Sequence, residues 1–328
     1  MREYETGVLE QYHIEVNSTR KIRGAILCDT DQGWLLLKEA EVSDKRIPRL
    51  WQLCAHLQEN NIPLVDQVME NKEGNYISIA EDGTKYVLKY WFHGRECDIR
   101  KEYELMEAVK NLAKLHREMQ GIFAGEEFPK PDLMGEYMRH NRELKKVRTF
   151  VREKVGKGEF EAAFLKNFDL MYEWAETALF RLREFGYEEL CESACQKGSF
   201  VHGDYNYHNI LMTSEGIATT NFEHFHMDIQ AEDLYYFLRK AMEKHQWNEK
   251  TGEHMLMVYN AVNPLSRQEM EYIALRLAYP EKFWKLANSY YHSNKAWIPV
   301  KNVEKLQTAI RQTEEKKRFL ENIFTFHL

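Results

Sequence analysis

The sequence predicts an α+β chain of two lobes: a small antiparallel sheet lobe carrying one helix, then a large, mostly helical lobe. Two observations predict it. Short apolar runs separated by Asp- and Gly-rich turns dominate to about residue 92, and helical periodicity dominates after Gly94. A brief return of strand pattern between Phe200 and Phe222 interrupts the helices. The lobes are therefore assigned to residues 1–92 and 93–328.

In the first lobe, His13 to Val16 begins an extended segment. Ile22 to Cys28 and Trp34 to Lys38 flank the turn Asp29-Thr-Asp-Gln-Gly33, the pattern of a hairpin. Ser43-Asp44 reads as the cap of a helix from Ile47 to Asn60, with Pro48 tolerated in its first turn and Leu50, Leu53 and Leu57 along one stripe. A second hairpin runs from Tyr76 to Ala80, turns at Glu81-Asp-Gly-Thr84, and returns from Tyr86 to Phe92. Past His93-Gly94, helices are expected over Lys101 to Met119, Glu143 to Lys154, Phe160 to Phe185 and Glu188 to Lys197, and again from Asp233 onward.

Composition narrows the function. The 328 residues are 44% hydrophobic and 13% aromatic, enough for a substantial core and too much for a disordered chain. A formal net charge of −7 argues against a nucleic-acid partner. The opening Met1 to Gly7 has no apolar signal core and no run reaches membrane-spanning length, so no membrane partner is expected. Cys28, Cys54, Cys97, Cys191 and Cys195 form an odd set without zinc-finger spacing. They read as free thiols of a chain made in a reducing compartment, most simply the cytoplasm.

The most specific feature is His202-Gly203-Asp204, followed five positions after the aspartate by Asn209. Phosphoryl transfer calls for a carboxylate that orients the attacking hydroxyl and a side-chain oxygen that holds a metal on the phosphates. Protein kinases arrange these groups as His-Arg-Asp-x-x-x-x-Asn; here Gly203 replaces the Arg. A short hairpin should follow and end in a second metal-binding acid. Ile210 to Met212, the Glu215-Gly216 turn and Ile217 to Thr220 supply the hairpin, but Asn221 stands in the place of the acid. An amide offers an oxygen without the charge that makes an oxygen site strong, and Glu223 is the candidate to compensate. His202 and Asp233 are candidates for bracing the loop, Asp233 being equally readable as an N-cap.

Lys38 ends an apolar strand, which suits a lysine reaching inward to phosphates; Lys89 is a weaker rival because it precedes the hinge. No Gly-rich loop lies before Ile22. Asn17-Ser-Thr-Arg-Lys21 is expected at that turn, so any phosphate cover there must use the hydroxyls of Ser18 and Thr19, backbone N–H groups or the basic residues. The helix after Lys38 lacks a Glu partner, its carboxylates being Asp44 and Glu59 at the two ends. A metal-dependent hydrolase is the rival class. It would use His202, Asp204, His208, His224, His226 and Asp228, the last three on one face of a strand, and the helical remainder argues against it.

Several segments, taken together, resemble one family. They are Leu112-Ala-Lys-Leu-His116, Arg142 to Arg148, His202 to Leu211, Asn221-Phe-Glu-His-Phe225, Asp233 to Lys240, and Tyr279-Pro-Glu-Lys-Phe-Trp-Lys285. The chain resembles the CotS family of bacterial spore coat proteins, itself similar to aminoglycoside phosphotransferases and choline kinases. The resemblance implies a protein-kinase-like fold, ATP and Mg2+ as cofactors, and an unidentified small-molecule or protein acceptor. It also implies a place in or under the coat of a bacterial spore, with other coat proteins as partners. By motif position Asp204 would be the catalytic base, Asn209 with Asn221 or Glu223 the magnesium ligands, and Lys38 the phosphate-binding lysine. Two functions follow: a working phosphotransferase, or a catalytically weak or inactive relative serving as a structural coat component. Trp284, Tyr290, Tyr291 and Trp297 could line an acceptor pocket or pack, packing being the better reading for most of them, and His116 reads as a core histidine.

Overall fold

The computed structural model describes residues 7–293 and 300–328; Trp297 lies outside them. Contacts divide the chain into two units. One takes the chain up to Glu126 together with Phe200–His226, and the other comprises Glu127–Ser199 and Met227–Leu328. This grouping differs from a division at residues 92 and 93, because one long helix and the segment of the candidate catalytic loop join the sheet.

The first unit is built on five antiparallel strands: β1 (Val16–Ile22), β2 (Ala25–Thr30), β3 (Gly33–Glu39), β4 (Ser78–Ile79) and β5 (Lys85–Tyr90), in the order β1-β2-β3-β5-β4. Alternation along each strand sorts the side chains between two faces. Cys28, Leu35, Leu37 and Leu88 enter an apolar cluster with Tyr12, whereas Leu27, Leu36 and Lys38 line a cavity on the other face. Helix α1 (Ile47–Glu59) buries Ile47 against Val87 of β5.

Two local expectations are corrected. Residues 17–21 are strand rather than turn, and the chain reverses at Arg23-Gly24, where φ is 37° and 79°. Both values are left-handed, as a two-residue hairpin between right-twisted strands requires. Ser43-Asp44 does not cap α1: the N-cap position falls to Arg46, without a side-chain cap, and Asp44 pairs with Lys85 at 2.9 Å.

A second sheet of the same unit joins β6 (Gly94–Glu96) to β8 (Ile210–Thr213), and β8 to β9 (Gly216–Thr219), all antiparallel. The candidate loop lies between β7 (Phe200–Val201) and β8. Helix α2 (Glu102–Glu118) anchors it: the Tyr205 hydroxyl donates to Ala108 O at 2.8 Å, and Asn111 donates to Tyr205 and Thr219.

The second unit is helical: α3 (Leu133–Glu153), α4 (Glu159–Glu184), α5 (Tyr187–Lys197), α6 (Ala231–Lys244), α7 (Glu249–Val262), α8 (Arg267–Ala278), α9 (Glu281–Tyr291), α10 (Val300–Arg311) and α11 (Thr313–Phe324). Leu144, Val147, Phe160, Phe164, Phe168 and Phe283 share one buried cluster. The Tyr279-to-Lys285 segment holds this unit together: Tyr279 stacks on Tyr137 with centroids 3.7 Å apart, and the Trp284 indole N–H donates to Glu143. Tyr290 donates to Glu161, while Tyr291 is 40% exposed. All five cysteines are free thiols, and no helix among the described residues is long and apolar enough to cross a membrane.

Candidate active site

A cavity of about 630 Å³ opens within the first unit. Its walls divide by chemistry. Ile22, Ala25, Leu27, Leu36 and Leu211 are apolar, Trp34, Trp91, Phe92 and His93 are aromatic, and Arg20, Arg23, Lys38, Asp204, Asn209, Asn221 and Glu223 are polar. An apolar slot ending in convergent polar groups is the usual form of a small-molecule site.

Hydrogen bonds hold the loop rigidly. Asp204 N–H donates to His202 Nδ1 at 3.2 Å, which leaves Nε2–H to donate to Thr220 O at 3.0 Å; His202 is fully buried. Both Asp204 carboxylate oxygens accept bonds, Oδ1 from Asn206 at 2.8 Å and Oδ2 from Asn209 at 2.9 Å. Gly203 has φ 80°, and a Cβ there would sit 2.3 Å from His224 O. Any side chain would clash, which accounts for glycine where kinases carry Arg.

Asn221 follows β9 in the left-handed region, φ 65°, a conformation that Asn tolerates better than most residues. Its backbone N–H donates to Asp66 Oδ2 at 2.9 Å, and its side-chain amide donates to Asn209 Oδ1 at 2.8 Å. The two amides thus touch, with Asp204 next in the chain of bonds.

Behind them lies a buried ionic cluster that the sequence reading missed. Lys89 Nζ is 3.0 Å from Asp66 Oδ2 and 2.5 Å from Glu223 Oε1, and all three side chains are at most 4% exposed. Burial alone would pull the Lys89 pKa down, but the two carboxylates outweigh it and push it above its ordinary value. Burial opposes the charge on Glu223, yet Lys89 and Lys38 prevail and bring its pKa to about 2. At Asp66 burial prevails over Lys89 and lifts the carboxyl to about 6. Lys38 Nζ stands 3.7 Å from Glu223 Oε1 and 3.3 Å from Glu41. Lys89 is sealed away from the cavity while Lys38 lines it, so of the two candidates only Lys38 can reach a ligand.

Of the other candidates, Ser18 and Thr19 sit in mid-strand on β1, paired with Asp29 and Cys28; the cavity is lined instead by Arg20, Ile22 and Arg23. Asp233 is buried in the first turn of α6, in the second unit. The metal-hydrolase set does not assemble. Among the described residues no three His, Cys, Asp or Glu side chains gather in metal-holding geometry. His224 closes a 3-10 turn (Phe222–His224) rather than continuing a strand, and His226 Nδ1 turns back to His224 O. The signal for Asp66 was present: it is the lone acid between the apolar Leu64-Val65 and Val68.

The site's oxygens fit a hard divalent cation in one respect that stands out. Glu223 Oε2 is buried and finds no hydrogen-bond partner among the described residues, although Glu223 lines the cavity. A buried carboxylate oxygen without a partner is costly unless a cation or proton meets it.

The fold has counterparts among proteins of known structure. An aminoglycoside phosphotransferase from Alicyclobacillus acidocaldarius superposes with a TM-score of 0.87 over 98% of this chain and 95% of its own, at 17% identity. A spectinomycin phosphotransferase solved with ADP and spectinomycin gives 0.65 over 94% and 97%, at 12% identity. These likenesses establish a kinase-like phosphotransferase fold, mixed α+β as the sequence predicted. Spore coat protein S of Bacillus subtilis (strain 168) is 26% identical over 317 residues, 95% of this chain and 90% of that protein. The model of the family described as "Spore coat putative kinase YutH" matches residues 5–323, and the chain belongs to that family of kinase-like spore coat proteins.

Proposed function

We propose that this protein is an ATP- and magnesium-dependent phosphotransferase of the spore coat, transferring the γ-phosphate to a hydroxyl or amine of a small-molecule or protein acceptor. The observation that carries the reading is one cavity lined by Lys38, Asp204, Asn209, Asn221 and Glu223. The apolar slot between Ala25, Leu36 and Leu211 suits a flat base, and Lys38 suits the phosphates. Asp204, half-buried and held by two side-chain amides, orients the acceptor's hydroxyl and takes its proton as the bond to phosphorus forms. Asn209, Asn221 and Glu223 would hold the magnesium, which when bound neutralises charge on the phosphate oxygens. Glu223 supplies the negative charge that Asn221 lacks.

The second reading, a structural coat component with weak or lost catalysis, is favoured by one contact: the Asn221 amide donates to Asn209 Oδ1, using an oxygen that a metal would need. Nucleotide titration followed by turnover separates the two. Wild type should bind ATP with Mg2+, Lys38→Met should lose that affinity, and Asp204→Asn should keep it while losing phosphoryl transfer, including slow ATP hydrolysis. A wild-type protein that neither melts later nor titrates with ATP and Mg2+ would sink the catalytic reading.

A further inference from the structure

We infer that Arg23 is the phosphate-binding group that replaces a Gly-rich loop, and that Glu96 holds it as a built-in competitor until a polyphosphate displaces it. The inference rests on the nucleotide reading above and deepens it.

Arg23 occupies the tip of the β1–β2 turn with φ 37°. Left-handed backbone is costly for a long side chain and is usually given to Gly, Asn or Asp, as at Gly24. Such a position points to a task for the side chain. Arg23 lines the cavity that also holds Lys38, Asp204 and Asn209. Its guanidinium grips Glu96 with both forks, Nη1 to Oε1 at 2.9 Å and Nη2 to Oε2 at 3.0 Å. His208 Nδ1, from the catalytic loop, meets the same Oε2 at 2.7 Å.

One carboxylate therefore ties the turn over the cavity to the loop beneath it. A guanidinium fork that fits a carboxylate fits two phosphate oxygens equally well, and a polyphosphate brings more charge. The pair is also easy to exchange, since the Arg23 and Glu96 side chains are 63% and 35% exposed and solvent screens them. Lys38 cannot do this task alone, because its nearest anions, Glu41 and Glu223, already divide its charge.

The test is calorimetric titration of adenosine, ADP and ATP, each with Mg2+, into wild type, Arg23→Ala, Glu96→Gln and the double variant, with thermal melts to verify folding. Arg23→Ala should bind adenosine as wild type does and lose roughly tenfold or more in ATP affinity. Glu96→Gln should gain roughly two- to fivefold for ADP and ATP and nothing for adenosine, and the gain should vanish in the double variant. Equal losses for adenosine and ATP in Arg23→Ala, or a Glu96→Gln gain that survives without Arg23, would overturn the inference. A Glu96→Gln loss shared by all three ligands would do the same, since Glu96 would then touch the nucleoside. Wild type binding none of the three would refute the nucleotide reading and this inference with it, whereas binding of all three with no effect of Arg23→Ala refutes this inference alone.

Discussion

Replacing Lys89 by Met tests the buried cluster most directly. Lys89 is 1% exposed and is the cation between Asp66 and Glu223, at 3.0 and 2.5 Å. Met fills nearly the same volume but removes the charge, leaving two carboxylates in a site too dry for both to ionise. Breaking a buried pair from one side costs about 3–5 kcal/mol, and here one cation serves two acids, so the upper part of that range is expected at pH 7. The linkage sign follows from the acids. Without Lys89 the Asp66 carboxyl loses the cation that opposes burial and titrates further above its unfolded value of about 4, while Glu223 keeps only Lys38, 3.7 Å away. A raised folded pKa gives stability that is present below the unfolded pKa and lost as pH rises through the folded one. The deficit of Lys89→Met relative to wild type should therefore be largest at neutral pH and shrink toward pH 5. Urea unfolding followed by tryptophan fluorescence at pH 7, 6 and 5 reads both features. The triple variant Lys89→Met, Asp66→Asn, Glu223→Gln should recover most of the loss. A deficit under about 1 kcal/mol at pH 7, or one that grows on acidification, refutes the reasoning.

Two further outcomes follow from other parts of the molecule. His140, 2% exposed and stacked on Trp284, has its pKa lowered to about 4, first by burial and then by Arg139; Glu281 pulls the other way, and Glu136 lies 3.5 Å from Nε2. A depressed histidine pKa means stability fully present above about 6.5 and lost as pH falls toward 4, on the order of 3 kcal/mol in all. His140→Phe should flatten the pH dependence of unfolding in that window, and an unchanged slope there would count against the assignment. Asn221→Asp adds the missing charge at a backbone angle Asp also accepts, while turning the Asn209 contact into a repulsion that a cation relieves. ATP affinity should become more steeply dependent on Mg2+, on the order of tenfold between metal-free and saturating conditions beyond the wild-type ratio; an unchanged ratio would remove Asn221 from the metal site.

The fold was legible because its signals are local. Short apolar runs bounded by turn residues marked β2, β3 and β5, and His202 to Asn209 marked the loop by spacing alone. What escaped depends on pairing across the chain. Arg23-Gly24 is hidden inside an apolar run, so the sequence places the turn around Ser18 and Thr19, which register puts in mid-strand. The helix after Lys38 supplies no Glu partner, and the carboxylates at Lys38 are Glu41 and Glu223. Glu223, 3.7 Å from Lys38, is held by Lys89, which also bonds Asp66, and Asp66 in turn accepts from the Asn221 backbone. The parallel bridge of Val65 to Thr219 brings these residues together, and no window of sequence contains both partners. In kinases the lysine's partner rides on a helix whose movement can switch the pair on and off. Here Glu223 is fixed in a buried cluster beside the Asn209 and Asn221 amides, and neither carboxylate at Lys38 belongs to α1. The exposed and exchangeable carboxylates at the cavity are Glu41, on Lys38, and Glu96, between Arg23 and His208, and it is the second on which the inference above places competition with phosphate.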